Sequence, residues 1–372
     1  MLLEEIGSGS FGRVFRALNQ KTGIQCAIKC MKKCPKFEQI IRQELHVFEL
    51  LELEGPNGDE NIVEFYESFS WNGNTCIVFE LLCVNLYQIM SRNNFKGLPC
   101  MTVKKMSACI LNSLKFLHNH QIIHCDLKPE NVLMVRPGYP LVKVIDFGSS
   151  CRVGHTLYTY IQSRFYRAPE VILGMEYDTA IDIWSLGCII MELLTGTPLF
   201  PGADEYDQMA CIVEVLGLPP PSFLRKAKRL RTFFCDSGRL RHHSAGQEKA
   251  SLTYPARSPL LHTMPRGLPG SLPLEVLLQH SLGGVDSDLL DFIQRCVCWV
   301  PSGRLTVIEA LNHPWLRSLK SINMRRPEIV DSPEKKENTT NVSEPDGKCA
   351  NSQLSPSATD PLSATIRLAV EA

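Results

Sequence analysis

The segment His124-Cys125-Asp126-Leu127-Lys128-Pro129-Glu130-Asn131, together with the downstream Asp146-Phe147-Gly148, constrains this chain more than any other feature. It sets a carboxylate, an ammonium and two oxygen donors suited to Mg²⁺ along one stretch of chain. Moving a phosphoryl group asks a protein for little covalent chemistry. It asks for positioning and for neutralisation of phosphate charge. Asp126 is the candidate base, orienting the proton of an acceptor hydroxyl. Lys128 is placed to neutralise the transferring phosphate. Asn131 and Asp146 are the candidate metal ligands, because Mg²⁺ prefers oxygen and keeps waters and phosphate oxygens in its shell. A lone Asp in a loop is ordinarily a turn residue, but that reading does not explain the whole spaced set.

Partner motifs occur upstream. Gly7-Ser8-Gly9-Ser10-Phe11-Gly12-Arg13-Val14 is a glycine-rich loop. By itself it is a weak signal, equally at home in a plain turn or at the start of a dinucleotide-binding unit, where a helix should come next. Here Arg13–Leu18 and Cys26–Lys29 read as further strands, which favours a hairpin folded over phosphates. Glycines let backbone N–H groups approach phosphate oxygens. Ile6 and Val14 flank the loop, and Ala27 precedes the Ile28-Lys29 end of its strand, so all three join the candidate nucleotide contacts. Lys29 is either a phosphate-bridging lysine or an ordinary edge lysine. Its expected partner is Glu44 rather than Glu38, since Glu44 lies among Ile40, Ile41, Leu45 and Phe48 on a helix predicted over about 37–53. Phe79-Glu80-Leu81-Leu82 would join two lobes and offer an apolar slot with backbone donors and acceptors for adenine, with Phe79 at its back.

Helical periodicity dominates from about Leu86. Met106, Ile110, Leu114 and Leu117 form one apolar stripe, and Asp182–Leu194 reads as a helix buried all round. Asp288–Cys298 is amphipathic, and a helix from Thr306 should stop before His313-Pro314. Residues 236–284, rich in Gly, Ser, Pro and His, read as a surface insertion. The composition from 325 onward, and the chain from 317 in the domain division, reads as a disordered tail. The run Arg225–Arg229 reads as a solvated helix face.

With 372 residues, 44% of them hydrophobic, the chain is long enough for two lobes. Its formal net charge of zero gives no electrostatic case for nucleic acid or an anionic membrane. No signal peptide or membrane-length apolar run is legible. The fifteen scattered cysteines suit reduced thiols in cytosol or nucleus, and the Cys296-x-Cys298 pair lacks the spacing of a zinc site.

Taken together, the chain resembles the protein-kinase superfamily from about Leu2 to Leu316, including Ala168-Pro169-Glu170, Asp182-Ile183-Trp184-Ser185-Leu186-Gly187 and Arg304. The resemblance implies an α+β, bilobal fold: a small β-rich N-lobe over 1–82 and a larger helical C-lobe over 83–316. It also implies that Glu170 pairs with Arg304, and that Asp182 supports the catalytic loop through its backbone. Tyr158-Thr159-Tyr160-Ile161-Gln162-Ser163-Arg164-Phe165-Tyr166-Arg167-Ala168-Pro169-Glu170, Cys125 and Asp146–Cys151 look like the dual-specificity tyrosine-regulated (DYRK) family. Val215–Pro220 with Thr232-Phe233-Phe234 suggests its class II branch. That likeness implies a monomeric kinase using ATP and Mg²⁺ on protein Ser and Thr, with Pro after and Arg before the target. Tyr160 would be autophosphorylated. Cys125 cannot receive an activating phosphate as an arginine would. Arg164 and Arg167 could clamp a phosphate on Tyr160, which adds roughly −1.5 to −2 charge. The bland alternative is that these tyrosines are packed aromatics. Class II members carry N-terminal segments that assist this maturation. The chain begins almost at the glycine-rich strand, so an ATP-binding pseudokinase or scaffold is the alternative.

Overall fold

The computed structural model describes residues 1–9, 12–54, 61–154, 160–241 and 266–321. Ser10, Phe11, Tyr158, much of the expected insertion and the tail beyond 321 lie outside the described residues.

Five antiparallel strands form the N-lobe sheet: β1 (Leu2–Ser8), β2 (Gly12–Leu18), β3 (Gln25–Met31), β4 (Phe65–Trp71) and β5 (Asn74–Glu80), in the order β1-β2-β3-β5-β4. β1 and β2 are thus antiparallel neighbours on either side of the glycine-rich loop, and a strand rather than a helix follows it. Gly12 has a structural reason beyond any phosphate: a Cβ there would lie 2.3 Å from the Cys30 carbonyl oxygen, so only glycine lets β2 approach β3. Side chains alternate across the sheet. Ala27, Lys29 and Phe79 face the interlobe cleft, whereas Cys26 and Val78 join Ala17 and Ile28 in a small cluster on the other face. Helix α1 (Pro35–Glu54) crosses beneath and buries Glu44, Val47 and Phe48, one face at i, i+3, i+4 spacing.

The C-lobe contains α2 (Leu86–Arg92), α3 (Cys100–Asn119), β6 (Ile122–Ile123), β7 (Val132–Met134), β8 (Val142–Val144), β9 (Cys151–Arg152), α4 (Pro169–Ile172) and α5 (Ala180–Thr195). It continues with α6 (Glu205–Leu216), α7 (Pro221–Leu224), α8 (Leu230–Phe233), α9 (Leu274–Leu282), α10 (Ser287–Cys296), α11 (Val307–Asn312) and α12 (Pro314–Ser321). The predicted stripe Met106, Ile110, Leu114 and Leu117 is buried along α3. Every residue from Ile181 to Leu194 is buried in α5, which packs on α3, α9 and α10. α11 opens with a reciprocal cap between Thr306 and Glu309 and ends at Asn312. Pro314, which needs no N–H partner, then starts α12.

Three expectations are corrected. The segment about 236–284 is not uniformly an insertion: Leu274–Leu282 is a helix whose Leu274 and Leu278 are buried against the core. Its leucines have helical spacing, but the Gly, Ser and Pro around them obscured it. The C-lobe also runs past 317, because α12 extends to Ser321 and buries Leu319. Arg225–Arg229 is solvated over Arg225, Lys226 and Lys228 but is not a helix. α7 ends at Leu224, and Arg229 donates to the Ile172 carbonyl at 2.9 Å and to Glu205 at 2.8 Å.

Tight packing around α5 gives a test of the core. A Cβ on Gly187 would meet Cys296 Cβ at 2.7 Å and Val297 Cγ1 at 2.8 Å. Gly187→Ala is therefore expected to cost about 1–3 kcal/mol through overpacking, outweighing its gain in helix propensity of roughly 1 kcal/mol. A lowered melting midpoint is the check, and an unchanged one would show that α10 gives way freely.

Candidate active site

Between the lobes lies a cleft of about 670 Å³. Its roof is Ile6, Gly7, Ser8, Gly9, Gly12 and Val14; its rear and connecting wall are Ala27, Lys29, Phe79, Glu80, Leu81 and Leu82. All the described nucleotide-contact candidates therefore share one cavity. The structure adds Val63, Cys83, Val84, Asn85, Gln88, Glu130, Leu133 and Ile145 to the lining. Leu133 and Ile145 had a signal, since they lie close to Asn131 and Asp146 in short apolar runs. Val63, beside a loop of turn residues, had none.

The rear wall is aromatic. Phe79 lies 5.4 Å from Phe48 and 6.3 Å from Phe65 between ring centroids, and Phe48 meets Phe147 edge-on at 5.6 Å. The last contact ties Phe147, next to Asp146, to α1, the helix that carries Glu44.

Lys29 Nζ donates to both Glu44 oxygens at 2.8 Å and to Asp146 Oδ1 at 2.9 Å. Glu44 is buried and Lys29 nearly so. Glu38, the competitor, instead lies 4.0 Å from Arg42 on the exposed face of α1. Burial pushes the Glu44 carboxyl up, with Lys29 offsetting part of the cost. Burial opposes the Lys29 charge too, but Glu44 and Asp146 outweigh it and hold the ammonium above its ordinary range. Asp146 is likewise raised by burial, yet the adjoining Lys29 prevails and its carboxyl sits below the usual range. At neutral pH this corner thus presents an ionised Asp146 beside a charged Lys29.

Across the cleft floor, Asp126 Oδ2 accepts from Lys128 Nζ at 2.7 Å. Asp126 Oδ1 accepts from the Ser163 N–H at 3.2 Å and from its Oγ at 2.8 Å, and Lys128 also donates to Ser163 Oγ at 3.2 Å. Asn131 Nδ2 donates to the Asp126 carbonyl at 2.9 Å, which turns its Oδ1 the other way. Ser163 as a partner of Asp126 and Lys128 is a residue that motif reading passed over.

The catalytic loop is held from below. Asp182 accepts from the His124 N–H at 2.9 Å and the Cys125 N–H at 3.2 Å, and contacts His118 Nε2 at 3.1 Å. Cys125, Asp146 and Gln162 all have positive φ, between 62° and 67°. Side chains other than glycine resist this region, so the surroundings must fix it. At Gln162 they do. Its N–H donates to the Cys125 carbonyl, its amide nitrogen to Ser185 Oγ at 2.8 Å and the Ile181 carbonyl at 3.1 Å, and its Oε1 accepts from the Ala168 N–H. This anchor was also unforeseen, because Gln rarely announces a structural role.

Tyr160 is 66% exposed, and the Arg167 guanidinium lies 4.0 Å from its ring centroid. Arg167 is otherwise committed to the carbonyls of Ile161 and Gln162 and to Glu205. Arg164 Nη1 donates to the carbonyls of Gly202 and Ala203. The structure therefore brings Arg167, but not Arg164, to the Tyr160 ring. Farther on, Glu170 and Arg304 form a buried two-pronged pair at 2.6 and 2.7 Å.

A sequence profile described as the protein kinase domain matches residues 1–316. The chain belongs to the protein kinase family. The kinase domain is similar to dual specificity tyrosine-phosphorylation-regulated kinase 3 of Homo sapiens, at 44% identity over 315 residues, 85% of this chain and 53% of that protein. It is 42% identical to dual specificity tyrosine-phosphorylation-regulated kinase 4 of Homo sapiens over 330 residues, 88% of this chain and 60% of the relative. Dual specificity tyrosine-phosphorylation-regulated kinase mbk-2 of Caenorhabditis elegans is 44% identical over 316 residues, 85% of this chain and 38% of the relative. The chain thus spans about half the length of the curated relatives it matches.

Proposed function

We propose that this chain transfers the γ-phosphoryl group of ATP to Ser and Thr hydroxyls of proteins and phosphorylates its own Tyr160. The observation that carries the reading is the convergence on one cleft of the Lys29–Glu44–Asp146 ion cluster and the Asp126–Lys128–Ser163 cluster. The names of the similar kinases support the dual specificity. Glu80 and Cys83 spend their N–H groups on the carbonyls of Glu64 and Met134, so an adenine edge would seek backbone partners at Leu81 and Leu82 between them. Lys29, fixed by Glu44, would hold ATP phosphates. Asp126 would orient the acceptor hydroxyl and take its proton, while Lys128 would face the transferring phosphate.

The donor set suits Mg²⁺: Asp146 has one oxygen on Lys29 and keeps the other, and Asn131 has its amide nitrogen engaged and its oxygen turned away. Bound there, the metal would neutralise phosphate charge as it builds on the leaving group. By family likeness the substrates carry Pro after and Arg before the target residue. The protein would act as a monomer in cytosol or nucleus, without nucleic acid or membrane. No helix among the described residues is long and apolar enough to cross a membrane.

Mass-spectrometric peptide mapping of the chain made in bacteria, beside its Asp126→Asn variant, tests the reading. Phosphate on Tyr160 in the parent alone is the expected result. Phosphate on neither, together with nucleotide binding but no turnover of a basic protein substrate, would make the chain an ATP-binding scaffold.

A further inference from the structure

Fourteen cysteines among the described residues carry free thiols, and one pair of them is poised across the N-lobe sheet. Cys30 in β3 and Cys76 in β5 are direct register partners, and their sulfurs lie 3.5 Å apart. Directly opposed residues of antiparallel strands have Cα atoms about 4.5–5.5 Å apart, inside the range of roughly 4.4–6.8 Å that a disulfide spans. Joining the sulfurs therefore needs rotation of side chains and little movement of backbone. Access is asymmetric in a useful way: Cys30 is partly exposed, whereas Cys76 is buried. The pair sits on the sheet face that carries Ile28 and Val78, away from Lys29 and Phe79.

We propose that Cys30 and Cys76 are a reversible modification site, at which a small-molecule disulfide such as oxidised glutathione staples β3 to β5. The Cys30 thiolate attacks one sulfur of oxidised glutathione. That S–S bond breaks, one glutathione leaves as its thiolate, and a mixed disulfide remains on Cys30. The Cys76 thiol then passes its proton toward the departing glutathione and attacks the Cys30 sulfur. The second glutathione leaves as its thiolate, which takes up a proton. Two protein thiols are oxidised to one disulfide, and one oxidised glutathione is reduced to two thiols. Burial, and then the hydrogen bond and charge of Cys30, push the Cys76 thiol up to about 12. Capping Cys30 removes its charge from beside Cys76, while burial, the larger cause, remains, so the second step is the slower one. The bond closes a long loop of the unfolded chain, and so favours the folded N-lobe.

The test treats the whole chain with oxidised glutathione, blocks remaining thiols, and maps peptides without reduction. A cross-linked peptide joining Cys30 to Cys76, lost on adding dithiothreitol, is expected, with a melting midpoint raised by about 5 °C. Mapping separates this bond from one between Cys125 and Cys151, whose sulfurs also approach to 3.5 Å. Cys30→Ser, a change at a partly exposed position, should abolish both the peptide and the shift. Recovery of Cys30 and Cys76 only as blocked free thiols would overturn the site. A cross-linked chain that melts no higher would overturn its stabilising effect.

Discussion

Replacing Asp126 by asparagine is expected to slow phosphoryl transfer by about 10²–10⁴-fold, the usual worth of a positioned proton acceptor, while leaving the melting curve where it was. The carboxylate stands at a crossroads of hydrogen bonds, accepting from Lys128 on one oxygen and from Ser163 on the other. An amide of the same shape keeps one acceptor but puts an NH₂ where the second belongs. It therefore faces a donor with a donor, and it has no basic oxygen for a hydroxyl proton. The fold should not suffer, because Asp126 lies in a loop and its backbone neighbours are gripped by Asp182. Phosphate incorporation measured at saturating ATP, beside a thermal melt, checks both halves. Parental activity in a purified Asp126→Asn preparation would remove Asp126 from the role of base.

Cutting the Glu170–Arg304 pair should produce the largest loss of stability. Both side chains are buried, and the guanidinium meets the carboxylate with two hydrogen bonds. Glu170→Ala would strand a permanent cation in the interior, and breaking such a pair costs about 3–5 kcal/mol. Arg304 also donates to the carbonyls of Ala180 and Cys298, so Arg304→Met adds orphaned acceptors to an orphaned carboxylate. Arg304→Lys is no rescue, since an ammonium cannot reproduce the planar fork. Urea unfolding monitored by fluorescence would register the drop. A loss of less than about 1 kcal/mol for Glu170→Ala would mean that water reaches the site and solvates the arginine.

Much of this architecture was readable along the chain, and the reasons are physical. Lys29, Asp126, Asn131 and Asp146 are read by spacing, because chemistry on phosphate needs those residue types in that order. Glu44 over Glu38 is read by periodicity, since only one of the two falls on the buried stripe of α1. Ser163 and Gln162 escaped notice for the opposite reason. Their work is done by contacts across long stretches of sequence, Ser163 with Asp126 and Gln162 with Ser185, and no local pattern encodes a contact of that kind. The helix at Leu274–Leu282 was obscured by its neighbours' composition, although the leucines carry the right period. Counting residues sets Arg164 and Arg167 near a phosphate on Tyr160, but it does not show where each rests without one: Arg167 lies against the Tyr160 ring and Arg164 turns to the carbonyls of Gly202 and Ala203.

The aromatic rear wall of the cleft sets a limit on what can be made to bind there. Phe79, braced by Phe48 and Phe65, closes off depth, so a synthetic ligand that fills the adenine slot has nowhere to grow inward. Compounds that require Phe147 to swing out would have to break its contact with Phe48 and so disturb the helix that carries Glu44. Selectivity in an inhibitor for this chain must therefore be sought at the mouth, where Cys83, Asn85 and Gln88 offer a thiol and two amides within reach of solvent.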